Sequence, residues 1–252
     1  MTPAVSRSAI DSSRFGIEVA KAAPASLGEW AAALAWGAQN GIALLIARID
    51  AADLTLAQQM EKDGAFLTDA LVRFRCARLE PARERRGAIA VRSAGVGDAA
   101  ALRDLARRSF AGYVGHYHAD PRLERAACDE TYADWAFRAC TDRGVADEVL
   151  LAVESGKALG FAALRITAPE EADGMLFGVD PAARGRGVYR SLLDAFLAWS
   201  ARRGARSAVY STQLANTTAQ RAVARIGFEP DRAFLTFHKW FPRAGGTGAG
   251  GA

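Results

Sequence analysis

The sequence predicts an α+β protein in two unequal parts. Strand-like and helix-like segments alternate along nearly the whole chain. An apolar run, Met175–Val179, passes through a turn and the run Arg184-Gly185-Arg186-Gly187 straight into a helical pattern. That helix carries Leu192, Leu193, Phe196, Leu197 and Trp199. Finally, a stretch near the N-terminus recurs 163 residues later.

The elements follow in order. Arg14–Ala22 reads as a short strand. Leu27–Asn40 is helical, with Trp30, Leu34 and Trp36 as its large apolar residues, and Gly41 ends it. Ile42–Ile49 is a strand. Asp53–Asp63 is a helix with Asp53 as its N-cap and Gly64 as its stop. Phe66–Leu79 is strand-like. The charged, Pro-containing run Glu80–Gly87 is the expected linker, so a first lobe over residues 1–80 is predicted.

The second part, residues 88–242, opens with a strand, Ala88–Ser93, and a helix, Asp98–Phe110, capped by Asp98. Ala111–Asp120 is irregular and rich in aromatic residues and histidine. Pro121–Cys140 is mostly helix. Glu148–Glu154 and Ala158–Thr167 form a hairpin about Ser155-Gly156-Lys157. After the Gly-rich turn and its helix come a strand, Ser207–Gln213, a helix, Asn216–Ile226, stopped by Gly227, and one or two strands in Phe228–Phe241. The tail, residues 243–252, is expected to be disordered.

In the repeat, Leu34-Ala35-Trp36-x-Ala38 falls on Leu197-Ala198-Trp199-x-Ala201. Gly41 falls on Gly204, Asp53 on Asn216, Gly64 on Gly227 and Phe74 on Phe237, without a gap. The first lobe therefore reads as a partial copy of the last half of the second. Ala22 and Pro24 stand where Gly185 and Gly187 would be, so the copy lacks the glycine turn.

Composition narrows the function. The 252 residues are 50% hydrophobic and 24% charged, with a net charge of +4. This is globular composition, long enough for two small domains. No apolar run reaches the ~20 residues of a membrane span, and Met1–Ser13 lacks the apolar core of a signal peptide. A cytoplasmic location is expected. Cys76, Cys128 and Cys140 have no CxxC spacing and read as buried thiols, not as a disulfide or metal framework. Lys and Arg are spread over many helices, which argues against nucleic acid as a partner.

The glycine turn suits an anion. A helix N-terminus presents unbonded N–H groups and the positive end of the dipole. Gly185 and Gly187 allow close backbone approach, and Arg184, Arg186 and Arg190 add charge. The Walker A Lys-Ser/Thr pair and the three-glycine dinucleotide pattern are both missing. The segment instead resembles the acyl-CoA loop Q/R-x-x-G-x-G/A of the GNAT N-acetyltransferase superfamily. Arg184, Gly187 and Tyr189 fall on its defined positions, and Tyr189 departs from the usual small residue. Asn216-x-x-Ala219 followed by Ile226-Gly227-Phe228 resembles that superfamily's N-x-x-A…GF signature.

The resemblance implies a mixed, mostly antiparallel sheet flanked by helices, here preceded by a partial GNAT-like αβ lobe. It implies acetyl-CoA as acyl donor, with no metal. It places pantetheine between two splayed strands, near Phe177, Gly178 and Val179. The pyrophosphate would lie on Arg184, Gly185, Arg186, Gly187, Val188 and Tyr189, with Asn216 close by. Phe15-Gly16 and the pattern after it resemble the two-lobed acetyltransferases typified by TDP-fucosamine acetyltransferase. That implies a small-molecule amine acceptor, with a nucleotide-linked amino sugar first. A protein or peptide acceptor, and a non-catalytic CoA-binding module, are the alternatives. A homodimer is a possible assembly.

Many family members carry a tyrosine acid seven residues after the signature Asn, where this chain has Val223. Tyr210 and Thr212 are candidate substitutes, or residues that only pack. Tyr113, Tyr117 and Trp135 are candidate acceptor-binding residues, although helix packing explains Trp135 as well. His118 or His116 is the candidate base, or else the segment is an aromatic loop with solvated histidines. His238, on the last strand, is expected at the surface.

Overall fold

The computed structural model describes residues 5–79 and 89–242. The expected linker over 80–87 and the expected tail over 243–252 lie outside the described residues. The chain forms two compact units.

The first unit combines residues up to 71, residues 114–127 and residues from 232 onward. Its elements are β1 (Val5–Arg7), α1 (Ala9–Phe15), β2 (Val19–Ala22), α2 (Leu27–Gln39), β3 (Leu44–Asp50), α3 (Leu54–Lys62) and most of β4 (Phe66–Cys76). Side-chain caps start both longer helices: Ser26 Oγ accepts from Glu29 N–H at 3.2 Å, and Asp53 accepts from Leu56 N–H at 2.9 Å. β2 and β3 are parallel, with Val19 opposite Leu44. Trp30 and Ala33 of α2, Leu56 and Met60 of α3, and Leu45, Ala47 and Ile49 of β3 form the core.

One expectation fails in this unit. Arg14–Ala22 is not one strand: α1 ends in Gly16, left-handed at φ 64°, and only Val19–Ala22 is extended. The sequence AIDSSRF has no apolar stripe to announce a helix; α1 is held instead by buried Asp11, which bonds Ser8, Arg14 and Lys21. This unit also takes in a segment from the far end of the chain. The last strand of the chain, β10 (Glu229–Trp240), pairs antiparallel with β3, with Phe237 opposite Ala47, and Phe237 joins this unit's core. Alternation along a strand reveals its two faces, not its pairing partner.

The second unit holds residues 72–113 and 128–231. After the end of β4 come β5 (Ala90–Ser93), α4 (Ala99–Ser109), α5 (Arg125–Thr141), β6 (Glu148–Glu154), β7 (Lys157–Ala168), β8 (Glu171–Val179), α6 (Val188–Arg202), β9 (Ser207–Gln213) and α7 (Thr217–Ala224). Strands β5 to β8 form an antiparallel run, and β9 joins β8 in parallel. On one face, Leu192, Leu193 and Phe196 of α6 pack with Phe177, Tyr210 and Val223. On the other, Leu102 and Leu105 of α4 and Ala133 and Ala136 of α5 pack with Leu151, Phe161 and Leu176.

Two details of this unit differ from the sequence reading. Asp98 makes no cap bond to α4; its carboxylate accepts from Gly95 N–H and Arg92 at 2.8 Å. Helix α5 begins at Arg125 and not at Pro121, with Glu124 accepting from Ala126 and Ala127 N–H.

The repeat is visible in the elements. β3 and β9 occupy 44–50 and 207–213; α3 and α7 begin at 54 and 217; β4 and β10 begin at 66 and 229. Each pair is offset by 163 residues.

Candidate functional site

The central feature of the second unit is a gap between two strands. β8 and β9 pair from Glu171 and Ser207 up to Gly174 and Tyr210, where the pairing ends. Both strands continue, to Val179 and Gln213. The register of β8 against β7 shifts between Leu176 and Gly174, so Met175 is an extra residue there. Such a bulge bends a strand and increases its twist, which turns β8 away from its partner.

The gap side of β8 carries unpaired backbone groups. Asp180 N–H bonds Leu159 C=O at 2.8 Å, on the β7 side. Alternation then turns the N–H and C=O of Phe177 and Val179 toward β9. Gly178 has a packing reason to be glycine: a Cβ there would collide with the Phe161 ring.

The glycine turn follows at the end of β8. Asp180 caps a short 3₁₀ turn, Pro181–Ala183, by accepting from Ala182 N–H at 3.0 Å. Residues Arg184–Gly187 are exposed. Gly185 and Gly187 sit in the left-handed region at φ 77° and 83°. The first intrahelical bond of α6 runs from Ser191 N–H to Gly187 C=O, so the N–H groups of Val188, Tyr189 and Arg190 precede the helical ladder. The arginines already have partners: Arg184 donates to Ser109 C=O at 3.0 Å, Arg186 to Glu154 at 2.5 Å and Arg190 to Asp194 at 2.8 Å. The Arg186–Glu154 pair is exposed, so it is weak and exchangeable.

Between loop and gap lie two tyrosines. Tyr189 donates its hydroxyl proton to the Tyr210 oxygen at 2.8 Å. Both rings meet Phe177, with centroids 5.8 and 5.5 Å away. Burial, then the partner tyrosine, pushes Tyr189 well above the usual phenol range. Burial also raises Tyr210, against the bonds from Tyr189 and Thr212. Val223 is fully buried in the same cluster. Asn216 caps α7 by accepting from Ala219 N–H at 3.2 Å, and its amide donates to Thr212 Oγ1 at 3.1 Å.

Asp173 was absent from the sequence reading. It is half-buried, opposite Val209 and one residue before the last paired position of β8. Burial, then neighbouring Glu171, pushes its carboxyl up to about 6 against the opposing pull of Arg73. Only the strand's burial pattern could have marked it, since Glu-Ala-Asp reads as ordinary alternation.

The aromatic and histidine segment divides. Tyr113 stacks edge-on against Phe110 and Tyr132 in the second unit, and Trp135 packs on the core there. The remainder belongs to the first unit. Tyr117 is 5% exposed and its hydroxyl donates to Asp11 at 2.9 Å, so the ring is a packing residue and not an open stacking platform. His118 Nδ1 accepts from Gly115 N–H at 3.1 Å. His116 Nδ1 lies 3.0 Å from His238 Nε2, and His238 Nδ1 lies 2.8 Å from Asp120 Oδ2. Trp240 Nε1 donates to the same carboxylate oxygen at 2.8 Å. His238 is not at the surface, as expected, but 0% exposed, because both faces of β10 are covered at this point. Among the described residues no group of three or more His, Cys, Asp or Glu could hold a metal ion, and no helix is long and apolar enough to cross a membrane.

Comparison with known proteins matches residues 100–228 to the Acetyltransferase (GNAT) family. The chain is 27% identical over 144 residues to the spore coat polysaccharide biosynthesis protein SpsD of Bacillus subtilis (strain 168), covering 57% of this chain and 48% of that protein. The chain thus spans about half the length of that curated relative. Among solved structures it is similar to a GCN5-related N-acetyltransferase from Sphaerobacter thermophilus, with 20% identity and a TM-score of 0.64 over 94% of this chain and 76% of that one. It is also similar to a tandem GNAT protein from the clavulanic acid biosynthesis pathway, with 16% identity and a TM-score of 0.58 over 84% and 69%. At these identities the two structures establish the fold.

Proposed function

The chain belongs to the acetyltransferase (GNAT) family, and from that premise we propose that it transfers the acetyl group of acetyl-CoA to the amine of a small molecule. The observation that carries this reading is the parting of β8 and β9 after Gly174 and Tyr210, beside a glycine turn that opens a helix. A thioester arm needs a slot lined with unpaired backbone groups, and its pyrophosphate needs N–H donors that can be approached closely.

In this reading the N–H and C=O of Phe177 and Val179 hold the pantetheine amides, and an N–H of the same stretch faces the oxyanion. Gly185–Tyr189 hold the pyrophosphate, with Arg184 and Arg186 adding charge, and Asn216 shapes the turn beside them. The amine nitrogen attacks the thioester carbon, the C–N bond forms and the C–S bond breaks. The amine gives its extra proton to a base, and the thiolate takes one from Tyr210, whose oxygen is polarised by the Tyr189 hydroxyl. Positioning both substrates supplies much of the rate.

The preferred acceptor is a nucleotide-linked amino sugar. The similarity to a spore coat polysaccharide biosynthesis protein of Bacillus subtilis supports a sugar. The reading is tested by thiol release from acetyl-CoA with TDP- and UDP-linked amino sugars, free amino sugars, polyamines and N-terminal peptides, beside a calorimetric acetyl-CoA titration. Release with nucleotide sugars is expected. Release with peptides alone overturns the acceptor class. Tight acetyl-CoA binding without release on any amine favours a CoA-binding module, and no binding overturns the whole reading.

A further inference from the structure

Residues 114–127 belong to the first unit, and side chains tie them to it. The backbone of this segment closes short turns on itself, His118 N–H to Gly115 C=O at 2.9 Å and Leu123 N–H to Asp120 C=O at 3.2 Å. Three of its side chains reach other elements of the unit. His116 Nδ1 lies 3.0 Å from His238 Nε2 of β10. The Tyr117 hydroxyl donates to Asp11 of α1 at 2.9 Å, and its ring lies 5.2 Å from that of Phe15. Asp120 accepts from Trp240 Nε1 and from His238 Nδ1, both at 2.8 Å. Asp120 and His238 are 1% and 0% exposed, so these bonds are shut away from water.

A bond between two ring nitrogens needs one proton and one lone pair. Burial opposes the charge of Asp120, yet the bonds from His238, Trp240 and Arg122 N–H hold its carboxyl below the usual range, so it only accepts. His238 Nδ1 therefore carries a proton. With both rings neutral, His116 donates from Nδ1 to His238 Nε2. With one proton more, His238 is the imidazolium beside Asp120 and donates from Nε2 to the His116 Nδ1 lone pair. The bond survives in both states. With a second extra proton both facing nitrogens carry hydrogen, and repulsion replaces the bond.

We propose that residues 114–127 are an acid-released strap, locked on the first unit by the His116–His238 pair and let go when His116 takes up a proton that the closed pair cannot hold. The charged and titratable groups around His116 are His238 of β10, Arg48 of β3, Lys21 of β2 and His118 of its own segment, all cations or groups that can become one. Tyr117, whose ring centroid is 3.8 Å from that of His116, is pushed well above the phenol range by burial and then by Asp11, and stays neutral. Burial first, then His238, Arg48, Lys21 and His118, hold His116 well below 6.5 in the folded state. Its contribution to closure is therefore complete above 6.5 and is lost as pH falls through the folded value. Asp11 and Asp120 add nothing to this dependence until pH nears 3.8, the value they regain on opening.

The test is hydrogen exchange on the full chain from about pH 7 to about pH 4.5, corrected for the intrinsic exchange rate at each pH. The opening constant of the His118 and Leu123 amides should rise toward about tenfold per pH unit below 6.5, while the β3 amides of Leu45 and Ala47 keep their protection. His116→Gln keeps an amide donor for His238 but has no site for the second proton, so its opening should be flat over the same range. Tyr117→Phe drops the Asp11 bond and should raise opening at every pH without changing the slope. A His116→Gln slope equal to that of the wild type overturns the lock, and so does a slope abolished by His118→Gln instead. Loss of the β3 amides in step with the segment overturns the strap, since the unit then opens as a whole. Nitrogen NMR of the wild type needs no variant: a His116 ring that titrates at 6.5 or above overturns the proposal.

Discussion

The Tyr189 hydroxyl donates to the Tyr210 hydroxyl across 2.8 Å, joining the first turn of α6 to the last residue of β9 that still pairs with β8. Family loops carry a small residue where this chain has Tyr189, and a tyrosine where it has buried Val223. Both departures meet in this one bond. A phenol oxygen that accepts a hydrogen bond gives up its own proton more readily, so in the mechanism we propose Tyr189 makes Tyr210 a better donor to the leaving thiolate.

Tyr210→Phe is expected to lower kcat about 10²-fold, while Tyr189→Phe lowers it about tenfold, the worth of one hydrogen bond of ~1.4 kcal/mol. Tyr189→Phe loses one buried bond, or ~1 kcal/mol of unfolding free energy in urea, and Tyr210→Phe loses the bonds from both Tyr189 and Thr212, or ~2 kcal/mol. An acetyl thioester of a more acidic thiol should restore most of the rate lost in both variants. Equal kcat in wild type and Tyr210→Phe would remove the tyrosine from the chemistry and leave it as packing.

Gly187 and Gly204 allow strain to be separated from binding. Both are left-handed, at φ 83° and 81°, and neither would crowd an added Cβ. Alanine at either position is expected to cost about 1–2 kcal/mol of stability through backbone strain. Gly187→Ala should also weaken acetyl-CoA binding, because it moves the N–H groups at the start of α6. Gly204→Ala lies beyond the other end of that helix and should leave affinity alone. Calorimetry with thermal unfolding separates the two. Equal affinities in both variants would detach the glycine turn from the ligand.

Much of this was legible in the chain. Gly185 and Gly187 announced a turn that opens a helix, and the 163-residue repeat gave three pairs of elements at matching positions. Asp53 was readable as a cap from its place before a helical pattern. What failed depended on contacts distant in sequence. His238 looked like a surface residue because Phe237 occupied the core face, but Asp120, 118 residues away, buries the other face. Helix α1 was hidden because its stability comes from Asp11 and not from an apolar stripe. The rise of Asp173 requires knowing that a strand covers it. The return of β10 to β3 was also hidden, because a strand's own alternation cannot express its pairing.

Asp11 ties α1 to its unit. It is 1% exposed and accepts from Ser8 Oγ at 2.6 Å, Tyr117 at 2.9 Å, Arg14 at 3.0 Å and Lys21 at 2.6 Å. Burial raises its pKa, but Lys21, Ser8 and Tyr117 together outweigh that, and the net shift is downward. Asp11→Ala should cost on the order of 3 kcal/mol in urea unfolding, because it removes the acceptor of four donors and leaves the buried Tyr117 hydroxyl unmatched. Asp11→Asn keeps the hydroxyl bonds and should cost less. Since the folded value lies below the ordinary 3.8, Asp11's contribution is present above that pH and is lost as pH falls through the lower folded value. The gap between wild type and Asp11→Asn should therefore close in strong acid; a gap that stays constant would assign the effect to shape.

Asp173 has the opposite sign. Its folded value is raised from 3.8 to about 6, so the folded state holds this proton more firmly than the unfolded chain does. Its favourable contribution is complete below 3.8 and is lost as pH rises through about 6, where the half-buried carboxylate must ionise beside Glu171. Asp173→Asn removes that ionisation without changing shape. The variant should match the wild type in thermal unfolding below pH 4 and exceed it by a margin that grows up to pH 6 and then levels. Arg73 moderates the effect, so Arg73→Gln in the wild-type background should widen the margin that Asp173→Asn recovers. A variant less stable than wild type at neutral pH would mean that the ionised carboxylate is held by a favourable partner, and would remove Asp173 from the groups that titrate near the working pH.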